Sequence, residues 1–118
     1  MQSDPNSFLP LPPAMLHILL TLAEGEQHGY GIMQAVARRT DGQFKLGPGS
    51  LYGSIKKMLE HGWIEEIETR PDTALDDERR RYYRLTAPGE RVLRAEANRL
   101  ASLVNLARER GLVGGSTL

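Results

Sequence analysis

PGSLYGSIKKMLEHGWIEE, residues 48–66, is the stretch that decides the predicted fold. Its apolar residues recur at the spacing of a one-sided amphipathic helix, at Leu51, Ile55, Met58 and Leu59. The opposite face carries small and cationic side chains, and Gly62 is expected to end the helix. At WIEEIE, residues 63–68, the pattern changes to that of a short strand. The stretch therefore predicts a helix followed directly by a strand.

A second strand-like run, RRYYRL at residues 80–85, lies downstream of the first. The two runs are separated by eleven mostly polar residues that contain Arg70-Pro71 and Asp76-Asp77. Short runs of this kind around turn-forming residues predict a β-hairpin with a long tip.

Two more helices are predicted upstream of residue 48. The apolar residues between 14 and 23 cover most of a helical circumference, which predicts a helix from Pro12 or Pro13 to about Ala23 that is buried on nearly all sides. Another helix is expected after HGY, residues 28–30, and should end at Asp41-Gly42. The segment 1–12, with short polar residues and several prolines, is predicted to be a flexible arm.

The last predicted element is a long helix that starts after Thr86, a good N-cap, and runs to about Arg110. Its apolar residues repeat with spacings of four, three, four and three, which is a heptad pattern. A helix of this length on so small a domain should pack against a second copy, so residues 86–110 are predicted to form a dimerisation helix and residues 111–118 to fray. The predicted dimer seam consists of Leu93, Ala97, Leu100, Val104 and Ala107.

Three helices, a hairpin and a final helix form the order of a winged helix-turn-helix. The sequence thus predicts a mainly α fold with a small β-hairpin, in which residues 13–85 form one DNA-binding domain. The second helix of a helix-turn-helix lies in the major groove of DNA, so we expect residues 50–61 to be the recognition helix.

The composition excludes several other classes of protein. The 118 residues include no cysteine, which excludes disulfides and thiolate metal sites, and the three histidines have no paired ligand spacing. We therefore expect no metal, no cofactor and no enzymatic activity. The most apolar window is only ten residues long, too short to span a bilayer, so a cytoplasmic protein without membrane contact is expected.

The charges are balanced overall but unevenly distributed. Fifteen Lys and Arg match fifteen Asp and Glu, yet residues 58–78 carry a net charge of −7 from eight acids and one base. Residues 79–94 carry +5, from six arginines and one acid. Local patches act on a charged ligand, so a neutral total does not exclude binding to DNA.

The outward face of the predicted recognition helix carries groups suited to DNA. Ser50, Tyr52, Lys56 and Lys57 can donate to phosphates or base edges, and Gly53 allows close approach. Gly49 lies at the amino end of the helix, where free amide groups can bind phosphate. The bland alternative is a solvated amphipathic helix.

The return strand of the hairpin is expected to add a basic wing. Arg79, Arg80 and Arg81 can follow the DNA backbone or enter the minor groove. The alternative is that the acidic residues beside them, Asp76 to Glu78, neutralise the run. Trp63 also has two interpretations, because a lone tryptophan after a helix either fills the core, which we favour, or forms the wall of an effector pocket.

Three segments together resemble the PadR family of bacterial transcriptional regulators: HGYGI at 28–32, residues 48–66, and RRRYYRLTAPGERVL at 79–93. The resemblance implies a dimeric winged-helix repressor of the compact branch, which has a single C-terminal dimerising helix and binds a palindromic operator. It also implies a small aromatic effector, since some relatives release DNA when planar aromatic compounds bind near the dimer interface. The DNA-contacting positions that it implies are Tyr30, Ser50, Tyr52, Lys56, Lys57 and Arg79 to Arg81.

A function from another class stays open. A winged helix can also serve as a protein–protein interaction module that binds no DNA, using the acidic strand and the heptad helix. The neutral net charge favours this alternative. Alanine at Lys56 and Lys57 is expected to distinguish the two functions.

Overall fold

The computed structural model describes residues 4–67 and 81–114. Its order of elements confirms the predicted winged helix-turn-helix. In chain order the elements are a short 3-10 helix Pro5–Phe8, α1 Pro13–Ala23, β1 Gln27–His28, α2 Gly29–Arg39, α3 Pro48–His61, β2 Ile64–Ile67, β3 Tyr82–Leu85 and α4 Ala87–Glu109.

The core lies where the first three helices meet. Each helix contributes side chains with no exposed surface, among them Ile18, Ile32 and Leu51. α1 is less enclosed than its sequence predicts, because Leu20 is 39% exposed beside the first half of α4. One surface of α1 therefore borders a groove.

The sheet has three antiparallel strands in the order β1-β3-β2. β2 and β3 pair Ile64 with Leu85 and Ile67 with Tyr82, as expected for the hairpin, and β1 pairs Gln27 with Tyr83. β1 was not predicted, because two residues cannot show a strand period and the strand exists only through its pairing with β3. This pairing joins the wing to the start of α2.

The prediction of a flexible arm is wrong for residues 4–12. Leu11 is buried, and its backbone N–H donates to Oε2 of Glu96 in α4 at 3.0 Å. The ring of Phe8 meets the ring of Trp63 edge-on at 5.0 Å. Proline composition predicts an unstructured segment, but the apolar residues between the prolines cover the surface of α4 and of Trp63 and hold the segment in place.

Trp63 fills the core, which is the interpretation that the sequence favours over the wall of an effector pocket. The side chain is only 4% exposed. His61 stacks on it with ring centroids 4.5 Å apart, and Phe8 covers another side. A ring enclosed in this way has no open face for a ligand.

α4 begins at the predicted cap. Thr86 Oγ1 accepts from the backbone N–H of Gly89 at 3.2 Å and donates to the carbonyl of Gly62 at 2.6 Å. Leu93, predicted for the seam between two copies, is 7% exposed and lies in the chain's own core, so it is not available to a partner. Gly111, at a φ of 73°, follows the helix, and residues 115–118 of the predicted frayed tail lie outside the described part.

Candidate nucleic-acid interface

α3 divides into a buried and an exposed face, as the spacing predicts. Leu51, Ile55 and Met58 are at most 3% exposed and fix the helix to the core. On the other side Ser50, Tyr52, Gly53, Lys56 and Lys57 are exposed. Because the apolar face is fully used inside the domain, the polar face is held outward along the length of the helix.

The amino end of α3 offers free backbone donors. The N-cap is Gly47, which has no side chain to accept from the first turn, and Pro48 follows it. Gly49 and Ser50 therefore point their N–H groups outward at the positive end of the helix dipole. An anionic oxygen, such as that of a phosphate, suits this position.

The two glycines on α3 are not required by packing inside the chain. A Cβ added at Gly49 or Gly53 would meet no atom of residues 4–67 and 81–114 within 4 Å. Glycine in a helix costs about 1 kcal/mol relative to alanine. Packing among the described residues therefore gives no reason for glycine at either position.

Lys56 and Lys57 form no ion pair within residues 4–67 and 81–114. Both side chains are exposed. Two free cations next to each other on one helix face attract a polyanion without first having to break an internal pair.

Tyr52 joins α3 to α2. A Cβ added at Gly29 would lie 2.4 Å from the phenolic oxygen of Tyr52, so glycine is required for this close approach. Tyr52 nevertheless keeps 45% of its surface exposed. Tyr30, the next residue of α2, is 57% exposed. Tyr52 of α3 thus reaches the start of α2, where the exposed Tyr30 follows Gly29.

His28 connects α2 to the wing, whereas the sequence predicts only that it helps the turn into α2. Its Nδ1 accepts from the backbone N–H of Gly31 at 2.9 Å and so caps α2. Its ring meets Tyr82 of β3 edge-on at 5.3 Å. Histidine is not among the usual N-cap residues Ser, Thr, Asp and Asn, so the local sequence gives no strong signal for this cap.

The described arginines of the wing are paired across the hairpin. Arg84 Nε lies 2.6 Å from Glu65 Oε2, and Arg81 Nε lies 3.6 Å from Glu66 Oε2. Arg79 and Arg80, also predicted to contact DNA, lie outside the described residues. The neutralising acids seen here stand on β2, whereas the sequence pointed to residues 76–78, which also lie outside that part.

Two titratable groups lie behind this surface. Burial raises the pKa of Tyr83 above its usual value, and the negative charge of Glu66 adds to the effect. Burial lowers the pKa of His17, helped by the positive charge of Arg39. His17 also stacks on Phe44, which precedes α3, at 4.4 Å. Both groups therefore pack behind the wing and the turn before α3 in surroundings that disfavour their charged forms.

The remaining predicted site residues lie away from this surface. Leu100 and Ala107 are half-buried on α4, while Ala97 and Val104 are exposed there. Among the residues that the structure describes, no group of three potential ligands could hold a metal ion. Over the same residues no helix is long and apolar enough to cross a membrane.

The family model described as the transcriptional regulator PadR-like family matches residues 18–95. A curated relative, an uncharacterised 37.1 kDa protein in transposon TN4556 of Streptomyces fradiae, is 33% identical over 90 residues. That match covers 76% of this chain and 24% of the relative, so this chain spans about a quarter of that protein.

Solved structures share the fold. A transcriptional regulator from Clostridium thermocellum superposes with a TM-score of 0.69 at 22% identity, covering 92% of this chain and 96% of that one. Bacillus subtilis PadR, solved in complex with operator DNA, superposes with a TM-score of 0.61 at 23% identity, covering 71% and 47%. At these identities the superpositions show a common fold.

Proposed function

The chain belongs to the PadR-like family of transcriptional regulators, and from this premise we propose that it is a homodimeric repressor that binds a palindromic operator through α3. Two α3 helices related by a two-fold axis would enter successive major grooves, about 34 Å apart. Tyr30 and the wing would flank each α3, and together with Tyr52 on α3 itself they would contact the DNA backbone.

One observation carries the proposal: on the exposed face of α3, two lysines that form no ion pair within the described residues lie on a helix whose amino end has no side-chain cap. The face is Ser50 to Lys57, where Gly49 and Gly53 leave open space and no ion pair neutralises Lys56 or Lys57 within the described residues. Small residues let a helix approach base edges, and free cations bind phosphate. The wing contributes less charge, because Arg81 and Arg84 face glutamates.

The test is a gel shift on the DNA upstream of the protein's own gene, with excess competitor DNA and two salt concentrations. The double variant Lys56→Ala, Lys57→Ala should lose the competitor-resistant shift. The matched control is Arg38→Ala, Arg91→Ala, which removes two exposed positive charges from α2 and from the first half of α4, outside the proposed dimer segment. If the dimer neutralises about six to ten phosphates, affinity should fall roughly a thousandfold or more from low to moderate salt.

If neither the upstream DNA nor a selection from random DNA yields a bound sequence, the alternative function, a protein–protein interaction module, is supported instead. If the lysine variant and its control bind the operator equally well, α3 is not the reading helix.

The second half of α4 supports the dimer. Leu103, Val104 and Leu106 are between 43% and 52% exposed there, although exposed leucines in such a row are costly in water. These residues lie on the part of α4 that extends beyond its contact with the domain. We propose that the same segment of a second copy covers them. Sedimentation equilibrium should give twice the mass of the 13.2 kDa chain.

The place proposed for a small aromatic effector is the groove between α1 and α4. It encloses about 370 Å³ and is lined by Leu20, Ala23, Leu85, Glu90, Leu93, Arg94 and Ala97. The lining is mostly apolar, and Glu90 and Arg94 supply charge. Planar phenolic acids should raise the melting temperature and release operator DNA, and Leu20→Glu should abolish both effects.

A further inference from the structure

Residues 4–12, here called the N-terminal strap, lie outside the family match, which starts at residue 18. The strap runs along the domain from the 3-10 helix to the start of α1. Asp4 caps that short helix by accepting from the backbone N–H of Asn6 at 3.0 Å. The strap contacts two elements that bear on DNA binding, α4 and the end of α3.

The contact with α4 is buried and charged. The N–H of Leu11 donates to Glu96 Oε2 at 3.0 Å, and Glu96 is 1% exposed. Arg99 completes the cluster through Nε and Nη2, at 2.6 Å and 3.0 Å from the two carboxylate oxygens. A buried carboxylate that is satisfied in this way is costly to separate from its donors, so this point of α4 is firmly held.

The contact with the end of α3 is aromatic. The ring of Phe8 lies edge-on to His61 at 5.1 Å and to Trp63 at 5.0 Å. His61 is the last residue of α3, and Trp63 lies directly before β2. Phe8 therefore ties the strap to the place where α3 meets the sheet.

These contacts give α4 a second point of attachment. The first is at Gly89, where an added Cβ would lie 2.0 Å from the carbonyl oxygen of Trp63. Glu96 follows seven residues later, which is about 10 Å along the helix. Val92 and Leu93, which lie between these two points, are also buried in the core, so without the strap α4 is held over little more than one turn near its start. The contact at Glu96 lengthens the attachment and so limits the tilt of the helix. The free end at Glu109 lies about 20 Å beyond Glu96, so a small change of tilt becomes a large displacement there.

We propose that the N-terminal strap sets the tilt of α4 against α3 and thereby fixes the spacing of operator half-sites that a dimer accepts. The proposal rests on the proposed function, because a tilt of α4 controls the distance between two α3 helices only if α4 joins two copies. Phe8, Leu11 and Glu96 are positioning residues in this arrangement, which requires none of them to touch DNA.

The test measures the distance between the two α3 helices in the dimer. The chain has no cysteine, so Glu60→Cys places a single spin label on each exposed α3 surface. Electron–electron double resonance should give one narrow distance distribution in this background. Adding Phe8→Ala should broaden it at least twofold, and Phe8→Leu, which keeps the apolar contact, should restore most of the narrow width.

A second readout uses DNA. Operators whose half-sites are moved apart or together by one or two base pairs should bind the natural protein several-fold more weakly than the best spacing. Phe8→Ala should flatten this preference while its affinity for an isolated half-site stays the same. His61→Ala removes one of the two rings that Phe8 meets and tests the same contact from the side of α3. Because His61 also stacks on Trp63, urea denaturation of this variant checks that it folds like the natural protein.

Each result has one meaning. Unchanged distance distributions in both Phe8→Ala and His61→Ala overturn the proposal, and so does an equal loss of affinity for every spacing and for the half-site. Absence of any signal between copies in the Glu60→Cys background overturns the proposed dimer, and with it the role of the strap. A dimer signal without DNA binding places the failure in the proposed operator.

Discussion

The two halves of α4 differ in what they contact, although the apolar residues are spaced alike along the whole helix. In the first half Gly89, Val92, Leu93 and Glu96 are buried against the domain and the strap. In the second half Leu103, Val104 and Leu106 are 43–52% exposed. A heptad pattern therefore records that a helix has an apolar face, but it does not tell which part of that face is satisfied within the chain.

The largest expected effect on stability is at Gly89, where the first half of α4 approaches the rest of the domain most closely. Gly89→Ala would place a Cβ 2.0 Å from a backbone oxygen of Trp63, which cannot move away as the end of a side chain can. We expect a loss of about 3 kcal/mol or more in the free energy of unfolding, measured by urea denaturation. Gly53→Ala on α3 is the control, since it meets open space and should be neutral or stabilising. Equal stability of the two variants would contradict the close contact.

Two leucine variants, one in each half of α4, compare the contributions of the two halves directly. Leu93→Ala should cost about 2–3 kcal/mol of unfolding free energy, because it leaves a cavity in the core. Leu103→Ala, at a side chain that is 52% exposed, should leave the stability of the monomer within about 0.5 kcal/mol and weaken the dimer instead. Denaturation at several protein concentrations separates the two effects. If Leu103→Ala destabilises the chain at every concentration and leaves the dimer intact, the division of α4 is wrong.

Glu96 makes the stability that the first half of α4 contributes depend on pH. Hydrogen bonds from Arg99 lower the pKa of Glu96, burial opposes this, and the Leu11 amide adds to the lowering. A carboxyl group whose folded pKa lies below its unfolded value stabilises the fold above the unfolded value, about 4.3, and this contribution is lost as the pH falls through the folded value.

Glu96→Gln tests this dependence. At pH 7 the variant should be less stable than the natural protein by about 1–3 kcal/mol. The difference should shrink as the pH falls below about 4.3, which thermal melts between pH 3 and pH 7 can follow. A difference that is constant over this range would show that the charge of Glu96 is not what stabilises the contact.

The smallest effect is expected for the exposed ion pair of the same helix. Arg94 and Glu90 are one turn apart, with side chains 69% and 54% exposed. Glu90→Gln should cost no more than about 0.5 kcal/mol, and added salt should remove the cost. Melting curves at low and high salt check this. A larger or salt-independent loss of stability would contradict the description of Glu90 and Arg94 as a weak, solvent-exposed ion pair.

Local pattern predicted most of the helices and the hairpin, since α3 ends at Gly62 and α4 starts after Thr86 as expected. It failed where structure depends on distant partners. β1 exists only by pairing with β3, and the strap is held by Glu96, which is 85 residues from Leu11 in the chain. No local spacing encodes either contact.

The candidate site shows the same division. Helical spacing on α3 was enough to predict that Lys56 and Lys57 are exposed. Whether an arginine of the wing is neutralised depends on the register of β2 against β3, which brings Glu65 opposite Arg84. The residues next to the arginines in the sequence do not predict that register.

The open space over Gly53 has a consequence for how the protein can diverge. A residue that is packed against nothing can be exchanged without disturbing the core, the cap or the pairing of the strands. In the proposed mode of binding, the same residue faces the base pairs. Natural lineages could therefore acquire a new DNA target by one substitution at position 53, with the fold inherited unchanged.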